Sequence, residues 1–212
     1  MKFCTQLLLV CGLASCASDS GSSPTNNGAD AFISHPKAAK EVEPALEKGS
    51  REAVSKFLQW YQVHMPQLEA QLAATVSKQG QGDTAHYQVN FALAERYVLT
   101  LAESKLFSNQ FLADQRAQFQ RSNATLFRTR QAYGPPVGFE FGWLLYTPQP
   151  GKVLANALRA KTTEVTATPE GQTRVRLYLP SSGYLDFEVV EESGTLRIAS
   201  IMPNGIEVEA EG

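Results

Sequence analysis

The hydrophobic pattern of this chain changes its period once, at the Gly-Pro-Pro sequence of residues 134–136. Before this point, apolar residues recur every three or four positions, as at Val54, Phe57 and Leu58, which is typical of one face of a helix. After it, apolar and polar residues alternate, which is typical of strands. Helices that precede an antiparallel meander indicate an α+β fold, with the helices packed on one face of the sheet.

Three helical stretches are predicted before the breaker. The first begins at Ser50, whose side chain suits a helix N-cap, and is ended or bent by Pro66. After a loop at residues 78–82, the second runs from about residue 87 to residue 105. The third begins with Ser108 as its N-cap and ends before the Gly-Pro-Pro sequence.

The second half of the chain predicts strands separated by turns, with one short helix. The helix is predicted at residues 152–159. The strands are predicted around residues 139–143, 162–168, 174–179, 185–189 and 196–198. Turns between them are indicated by clusters of Pro, Gly and Ser.

The strands predicted at residues 174–179 and 185–189 favour a single pairing register. The register that places the apolar side chains on one face also pairs each arginine with an acid on the other face. A shift by one residue would lose both effects. The predicted pairs are Leu177–Leu185, Val175–Phe187, Arg176–Asp186 and Arg174–Glu188. We expect the charged face to be solvated, where such pairs contribute about 0–1 kcal/mol each.

The N-terminus combines the features of an export signal. Lys2 supplies positive charge, and the apolar run of residues 7–13 is too short to span a bilayer. The Leu-Ala-Ser-Cys sequence at residues 13–16 resembles the lipobox of bacterial lipoprotein signal peptides. The resemblance implies cleavage before Cys16 and transfer to its thiol of a diacylglycerol, whose fatty acids include palmitate. The alternative is an ordinary secretory signal that happens to contain a cysteine.

These features predict four parts of the chain. They are a signal peptide at residues 1–15, a lipidated Cys16 with a flexible tether at 16–49, a folded domain at 50–202 and a C-terminal tail at 203–212. The tether is predicted because residues 17–31 carry no large apolar side chain and so cannot bury enough surface to fold. The lipobox resemblance implies a bacterial cell envelope location, and Ala17 resembles an outer-membrane rather than an inner-membrane address.

Packing and turn residues of the predicted domain carry a second resemblance. They include Leu-Phe-Ser-Asn-Gln-Phe-Leu at residues 106–112, residues 97–99 and the segment 134–141. Over residues 50–202 the chain resembles an uncharacterised bacterial family of the nuclear transport factor 2-like superfamily. This resemblance implies N-terminal helices on a curved antiparallel sheet that forms a cone. Many members are secreted or lipid-anchored, and some relatives act as immunity proteins.

Six aromatic residues are the candidates for lining a pocket between the helices and the sheet. They either pack the core or line a site for a small apolar ligand or a peptide. These candidates are Trp60, Tyr61, Tyr97, Phe139, Trp143 and Tyr146.

The sequence predicts no catalytic residues, no metal site and no cofactor. Its three histidines share no ligand spacing with Cys, Asp or Glu. Glu140 is the best candidate for a buried acid, because it lies between Phe139 and Phe141. The Arg-rich stretch at residues 116–130 is either solvated or a patch for an acidic partner. With 19 basic and 21 acidic residues, the chain lacks the positive field of a nucleic-acid binder.

These observations favour a lipid-anchored envelope protein that acts as a noncatalytic binding or interaction module. Its expected contacts are the membrane, through the lipid on Cys16, and a protein or peptide partner, in an immunity-type or assembly role. Two alternatives stay open. One is an enzyme, a hydrolase or isomerase, with its active site inside the cone. The other is a carrier of a small apolar ligand.

Overall fold

The computed structural model describes residues 42–161, 163–180 and 183–206. The predicted signal peptide, Cys16 and residues 17–41 of the predicted tether lie outside the described residues. So do residues 207–212 of the predicted tail. The lipobox, the acylation and the tether therefore stay predictions.

Helices and strands are partly interleaved along the described chain. The helices are α1 (Pro44–Ala74), α2 (Phe91–Glu103), α3 (Asn109–Thr129) and α4 (Pro150–Arg159). The strands are β1 (Val76–Gln79), β2 (His86–Val89), β3 (Thr163–Ala167), β4 (Thr173–Tyr178), β5 (Tyr184–Glu192) and β6 (Thr195–Asn204). Strands β1 and β2 pair as a hairpin, whereas β3 to β6 form an open antiparallel sheet in chain order. The predicted α+β class is confirmed, but the helices do not all precede the strands, because the β1–β2 hairpin lies between α1 and α2.

Helix α1 begins earlier than the sequence predicted and continues past Pro66 to Ala74. It begins at Pro44, which suits a first helical position because that position has no intrahelical N–H bond to lose. Residues 44–49 therefore belong to the helix and not to the tether. Ser50 is fully buried inside the helix and is not its cap. Pro66 does not end the helix, because Leu68 and Leu72 beyond it are buried against the core.

A close approach to the sheet explains Gly49 in the first turns of α1. A Cβ atom there would lie 2.7 Å from Cδ1 of Leu196 in β6. A larger residue at this position would push the Leu196 side chain aside, and glycine lets the helix lie close to the strand without that shift. The N-terminal part of α1 is thus fixed by packing, which the sequence pattern alone does not reveal.

The loop predicted at residues 78–82 is the tip of the β1–β2 hairpin. Its strands are only four residues long. β1 is mostly exposed, and Val89 in β2 is the one fully buried residue of the pair, so the strands show no clear hydrophobic alternation. Asn90 then caps α2, since its side-chain oxygen accepts hydrogen bonds from the N–H groups of Ala92 and Leu93. This cap explains why α2 begins at Phe91, after the residue 87 start that was predicted.

The predicted N-cap of α3 is confirmed. The buried hydroxyl of Ser108 accepts a hydrogen bond from the Phe111 N–H at 3.0 Å. The residues before the cap run parallel to β6. The Ser108 N–H donates to the Ile198 carbonyl at 2.9 Å, and the Ile198 N–H donates to the Leu106 carbonyl at 2.8 Å. The link between α2 and α3 therefore covers part of the free edge of β6.

We expect Ser108→Ala to lower the free energy of unfolding by about 1–2 kcal/mol, because it removes a buried cap. Urea denaturation followed by circular dichroism measures this change. Ser55→Ala is the matched control. Ser55 is exposed in α1, so its replacement should change stability by no more than about 0.5 kcal/mol. Equal effects of the two substitutions would contradict the cap.

All four residue pairs of the predicted β4–β5 register are confirmed. The expectation that the charged face is solvated is wrong at Asp186, which is 4% exposed. Arg176 donates hydrogen bonds of 2.8 and 2.9 Å to both oxygens of this carboxylate. The same guanidinium lies 3.9 Å from the centre of the Tyr184 ring. The long arginine side chain, held against the tyrosine, thus shields the acid from water.

The predicted strand at residues 139–143 is wrong. The segment forms turns, and its backbone pairing is limited among the described residues to a bridge between Gly142 and Thr147. Trp143 is buried, and its indole N–H donates to the Gly138 carbonyl at 2.7 Å. The alternating aromatic residues reflect a loop that inserts Trp143 into the core.

Candidate functional site

Side chains fill the space around three of the six aromatic residues that were predicted to line a pocket. Tyr61, Tyr97 and Trp143 are each no more than 2% exposed. The Trp143 ring centre lies 4.4 Å from that of Phe119 and 6.5 Å from that of Tyr97. The cavity beside Tyr61, Tyr97 and Trp143 measures about 10 Å³, which is about the space of one water molecule. These three aromatic residues are core residues.

Burial also keeps the two buried tyrosines neutral. It raises the pKa of the Tyr61 hydroxyl, and nearby Glu69 adds to the effect. Burial raises the pKa of Tyr97 in the same way. Neither hydroxyl can therefore act as a base at neutral pH.

The other three predicted pocket residues lie at different places on the surface. Trp60 is half-buried and stacks on His64, with ring centres 4.9 Å apart. Phe139 lines a cleft beside α1. Tyr146 is 42% exposed and lines a groove between α3 and β6. The six predicted residues do not form one site.

The groove between α3 and β6, called here the α3–β6 groove, has a volume of about 500 Å³. Helix α3 contributes Phe111, Asp114 and Gln115, which share one face because they are three and four positions apart. Tyr146 lies on the loop before α4, and residues 199–204 of β6 complete the lining. Only Tyr146 of this set was predicted to line a pocket.

Two polar side chains define the chemistry of the α3–β6 groove. Gln115 is 3% exposed, and its Oε1 atom accepts no hydrogen bond from the described residues. Tyr146 has a φ of 46°, which bulky residues rarely adopt. Burial and nearby Asp114 raise the pKa of the Tyr146 hydroxyl, and nearby Arg121 and Gln115 partly offset the rise. A polar, partly enclosed surface thus lies inside a mostly apolar groove.

A second cavity of about 250 Å³, called here the Glu69 cleft, lies between α1 and the loop before α4. It is lined by the carboxylates of Glu69 and Glu140 and by the rings of Phe139 and Phe141. Burial raises the pKa of Glu69. Glu140 is exposed, and its Oε2 accepts a hydrogen bond of 2.7 Å from the Gly138 N–H. The partly buried acid is therefore Glu69 and not the predicted Glu140.

The raised pKa of Glu69 predicts a pH-dependent effect of removing its charge. Ionised Glu69 costs stability above its folded-state pKa, and the cost vanishes below the unfolded value near about pH 4. We expect Glu69→Gln to raise the melting temperature at pH 7 and to leave it unchanged near pH 4. Thermal denaturation at both pH values measures the shift. Glu103→Gln, at an exposed position of α2, is the control. A shift of equal size at both pH values would contradict the expectation.

The histidines and the arginines occupy separate surface positions. The Nδ1 atom of His64 lies 2.8 Å from the Trp60 carbonyl, and that of His86 lies 2.9 Å from the Thr84 carbonyl. His35 lies outside the described residues. The described residues include no group of three or more His, Cys, Asp or Glu that could hold a metal ion. Arg116 pairs with Glu95 at 2.6 Å on the exposed surface.

Exposed apolar side chains surround the end of α3 near the β1–β2 hairpin. Phe127 is 73% exposed, Tyr133 is 82% exposed and Val137 is 44% exposed. The Lys78 ammonium lies 4.8 Å from the centre of the Tyr133 ring and 5.9 Å from that of Tyr87. These five residues are called here the hairpin-end surface. A hydrogen bond of 2.8 Å from the Tyr87 N–H to the Gln131 carbonyl joins the hairpin to this end of α3.

None of the helices in residues 42–161, 163–180 and 183–206 combines the length and the apolar character needed to cross a membrane. Comparison with known proteins finds no matching family model, no matching curated protein and no matching solved structure. The candidate sites are therefore argued from their own geometry.

Sequence reasoning missed Gln115, Asp114 and Glu69. The two α3 residues look like ordinary polar positions of an amphipathic helix, and nothing in their spacing distinguishes them. Glu69 carried a weak signal, because it lies one position after Leu68 and three before Leu72 on a buried face. A carboxylate beside such a face is a candidate for a raised pKa.

Proposed function

We propose that this chain is a noncatalytic interaction module of the bacterial cell envelope, held there by a lipid on Cys16. The folded domain docks a protein partner through the hairpin-end surface. The observation that carries the proposal is the exposure of Phe127 and Tyr133, 73% and 82%, in the last turn of α3 and in the segment that follows it. Exposed apolar patches are one mark of protein contact surfaces, and tyrosine is among the residues that carry binding energy there.

The geometry of the hairpin-end surface supports docking. The Lys78 ammonium packs over the Tyr133 ring, which restrains an exposed tyrosine and lowers the entropy lost when a partner covers it. The space beside Tyr61, Tyr97 and Trp143 is filled, since the cavity there measures about 10 Å³. These three candidate residues therefore offer no interior site, which favours a role for the surface.

The lipid anchor and the resemblance complete the proposal. A diacylated or triacylated Cys16 binds a bilayer stably, because each buried CH₂ contributes about 0.8 kcal/mol. The domain belongs, on this proposal, with the lipid-anchored members of the nuclear transport factor 2-like superfamily. An immunity-type or assembly role at the outer membrane is the form of interaction that this combination favours.

The anchor is tested by labelling cells with radioactive palmitate. The full chain should carry label and sediment with membranes. Cys16→Ala should carry no label and should leave the membrane fraction. Label that persists in the Cys16→Ala variant, or its absence from the unaltered chain, would contradict the anchor.

Docking is tested by placing a photo-crosslinking amino acid at Tyr133 of the full chain in intact membranes. A defined crosslinked product is expected from Tyr133 and should be lost when Phe127→Ser is added. The matched control places the crosslinker at Val63, which is 74% exposed on α1. The same products from both positions, or no product from Tyr133, would overturn the docking surface.

An enzyme of the hydrolase or isomerase class is the second candidate, and one observation favours it. The Glu69 cleft brings two carboxylates to apolar walls, and the raised pKa of Glu69 suits a general acid. Hydrolysis of nitrophenyl esters or glycosides by the full chain, lost in Glu69→Gln and kept in Glu103→Gln, would support this candidate. Activity that Glu69→Gln leaves unchanged would remove it.

A further inference from the structure

The α3–β6 groove runs along an edge strand of the sheet. Its β6 side is formed by consecutive residues of the strand, 199–204. Strand β6 is the last strand of the four-stranded sheet, and an edge strand carries a row of N–H and C=O groups that have no partner in the ladder. The groove is therefore a place where a further strand can pair with β6.

The turn between β4 and β5 shows which residues of β6 bond to β5. In an antiparallel ladder, the N–H and C=O groups of alternate residues point to opposite edges of the strand. The carbonyl of Gly183, directly before β5, accepts a hydrogen bond from the Leu179 N–H after β4. Even-numbered residues of β5, such as Asp186, therefore bond towards β6. Met202 lies opposite Asp186 and bonds to it, so the backbone of its neighbour Ile201 points away from β5.

Two further observations agree with this orientation of β6. Pro203, two positions after Ile201, has no N–H group, and a proline in a strand is tolerated where that group would face the free edge. The Ile198 backbone also points away from β5, because its N–H and C=O groups bond to Leu106 and Ser108. Ile198 and Ile201 are three positions apart, and the register of the β5–β6 ladder shifts between them.

The outward backbone groups of Ile201 and Pro203 have no partner from outside the sheet among the described residues. Ile201 is 4% exposed and lines the groove, and backbone groups so close to the interior are almost always paired. The strand is more open on either side of it, since Met202 is 39% exposed and Ser200 and Pro203 are half-buried. A ligand with N–H and C=O groups in the groove can supply the missing partners.

The same edge of β6 already pairs with a strand-like segment. The link between α2 and α3 runs parallel to β6 and forms hydrogen bonds of 2.8 and 2.9 Å with Ile198. The chain then enters α3 at Asn109, and the groove separates α3 from residues 199–204. A segment in the groove would continue the row of hydrogen bonds that the link begins.

The walls of the groove indicate which side chains such a segment carries. Alternate side chains of a strand point to opposite faces of the sheet. Side chains on the inner face would meet Phe111 and Ile201, which are apolar and buried. Side chains on the outer face would meet Ser200 and Met202, where the groove is open to water. A segment of alternating apolar and polar residues fits both faces.

From these observations we propose that the α3–β6 groove binds an extended segment of a protein partner, with alternating apolar and polar residues, as a fifth strand beside β6. The segment accepts a hydrogen bond from the Ile201 N–H and donates to the carbonyls of Ile201 and Pro203. This site shares no residue with the hairpin-end surface. It therefore adds a second contact to the proposed interaction module and does not depend on the first.

A synthetic peptide of alternating threonine and valine tests the pairing. It carries a fluorescein label and is titrated into the full chain in an uncharged detergent, with binding followed by fluorescence anisotropy. Two further peptides are N-methylated, one on its valines and the other on its threonines, so that each lacks the N–H donors of one edge. Only one of these two should lose affinity, by about tenfold or more, because the peptide donates two backbone hydrogen bonds from a single edge.

Hydrogen exchange, followed by nuclear magnetic resonance of the full chain, tests the place of binding. In the free chain, the Ile201 amide should exchange faster than the Met202 amide, which bonds to β5. Saturating peptide should slow the exchange of Ile201 by about tenfold or more, because the amide gains a partner. The exchange of Met202 should not change, and this amide is the control within the same strand.

A substitution in the wall of the groove tests the same site from the side of α3. Asp114 is exposed and lines the groove, so Asp114→Trp should fill part of the groove without altering the core. It should weaken binding of the unmodified peptide by about tenfold or more. Gln120→Trp, at an exposed position of α3 that does not line the groove, is the matched control and should bind as the unaltered chain does.

Equal affinity for the two methylated peptides, no binding of the unmodified peptide, or unchanged exchange of Ile201 would overturn the proposal. So would unchanged binding by Asp114→Trp. These outcomes are distinct from failure of the docking proposal, because crosslinking from Tyr133 is measured separately and at residues that the groove does not contain.

Two other occupants of the groove would give results of their own. If a second copy of the chain fills it, the apparent affinity for the peptide should fall as the protein concentration rises. If residues 207–212 of the same chain fill it, a chain that ends at Ile206 should bind the peptide more tightly than the full chain does. Either result would overturn a partner segment as the occupant.

Discussion

Trp143→Ala is expected to lower the free energy of unfolding by about 3–5 kcal/mol, the cost of deleting a large aromatic side chain from a core. Trp143 is 1% exposed, and its ring centre lies 4.4 Å from that of Phe119 and 5.1 Å from that of Phe139. The substitution also leaves the Gly138 carbonyl without its indole donor. Urea denaturation measures the loss. It is followed by circular dichroism of the backbone, because this signal does not depend on the deleted tryptophan.

The control for this prediction is another aromatic residue of the same chain. Phe127 is 73% exposed, so Phe127→Ala should change stability by no more than about 0.5 kcal/mol. A loss below about 1 kcal/mol in Trp143→Ala would contradict its assignment to the core. It would also favour the earlier hypothesis that the six aromatic residues line an open pocket.

Arg176→Ala is expected to lower the free energy of unfolding by about 3 kcal/mol, because it leaves a buried carboxylate without its partner. Asp186 is 4% exposed and receives two hydrogen bonds from the Arg176 guanidinium. Tyr184 loses its packing against the same guanidinium. Urea denaturation at neutral pH measures the loss.

Two further variants test whether the loss of stability in Arg176→Ala comes from the unpaired buried carboxylate. Arg51→Ala removes a pair with Glu47 whose side chains are 36% and 42% exposed, so it should cost about 0–1 kcal/mol. The double variant Arg176→Met, Asp186→Leu should recover most of the stability, because apolar residues often replace a buried pair without loss. A double variant as unstable as Arg176→Ala would show that the pair itself, rather than the orphaned charge, stabilises the sheet.

The β4–β5 register was predictable because two independent patterns coincide in it. Apolar residues such as Val175 and Phe187 select one face, and the Arg176–Asp186 pair selects the same alignment on the other. The burial of the Arg176–Asp186 pair was not predictable. It depends on how closely the Arg176 side chain lies over Tyr184, a packing detail that alternation does not encode.

The elements that were mispredicted lack such agreement. Strands β1 and β2 are short, and Val89 is their one fully buried residue, so their pairing shows no alternation of apolar residues. The segment of residues 139–143 does alternate, yet it anchors a single tryptophan in the core and pairs with no neighbouring strand of the described chain. An alternating pattern indicates which side chains are buried. A loop packed against the core can show this pattern as well as a strand can.

The candidate sites were less predictable than the fold. Tyr146 was one of six residues predicted to line a pocket, but Asp114 and Gln115, which line the same groove, come from a helix distant in the sequence. Glu140 was chosen because it lies between two aromatic residues, whereas Glu69 on α1 is the acid with the raised pKa. In each case the property arises from contacts between distant segments.

The pairing of the α2–α3 link with β6 constrains when this chain can fold. Arg197 of β6 donates a hydrogen bond to the Phe107 carbonyl, 90 positions earlier in the chain. While the protein is being synthesised, the helices leave the ribosome long before that strand does. Because so distant a contact closes late and slowly, the helical half remains without its final partner until nearly the whole chain has been made. Truncation just before Ile198 should therefore yield a chain that chaperones and proteases recognise as incomplete.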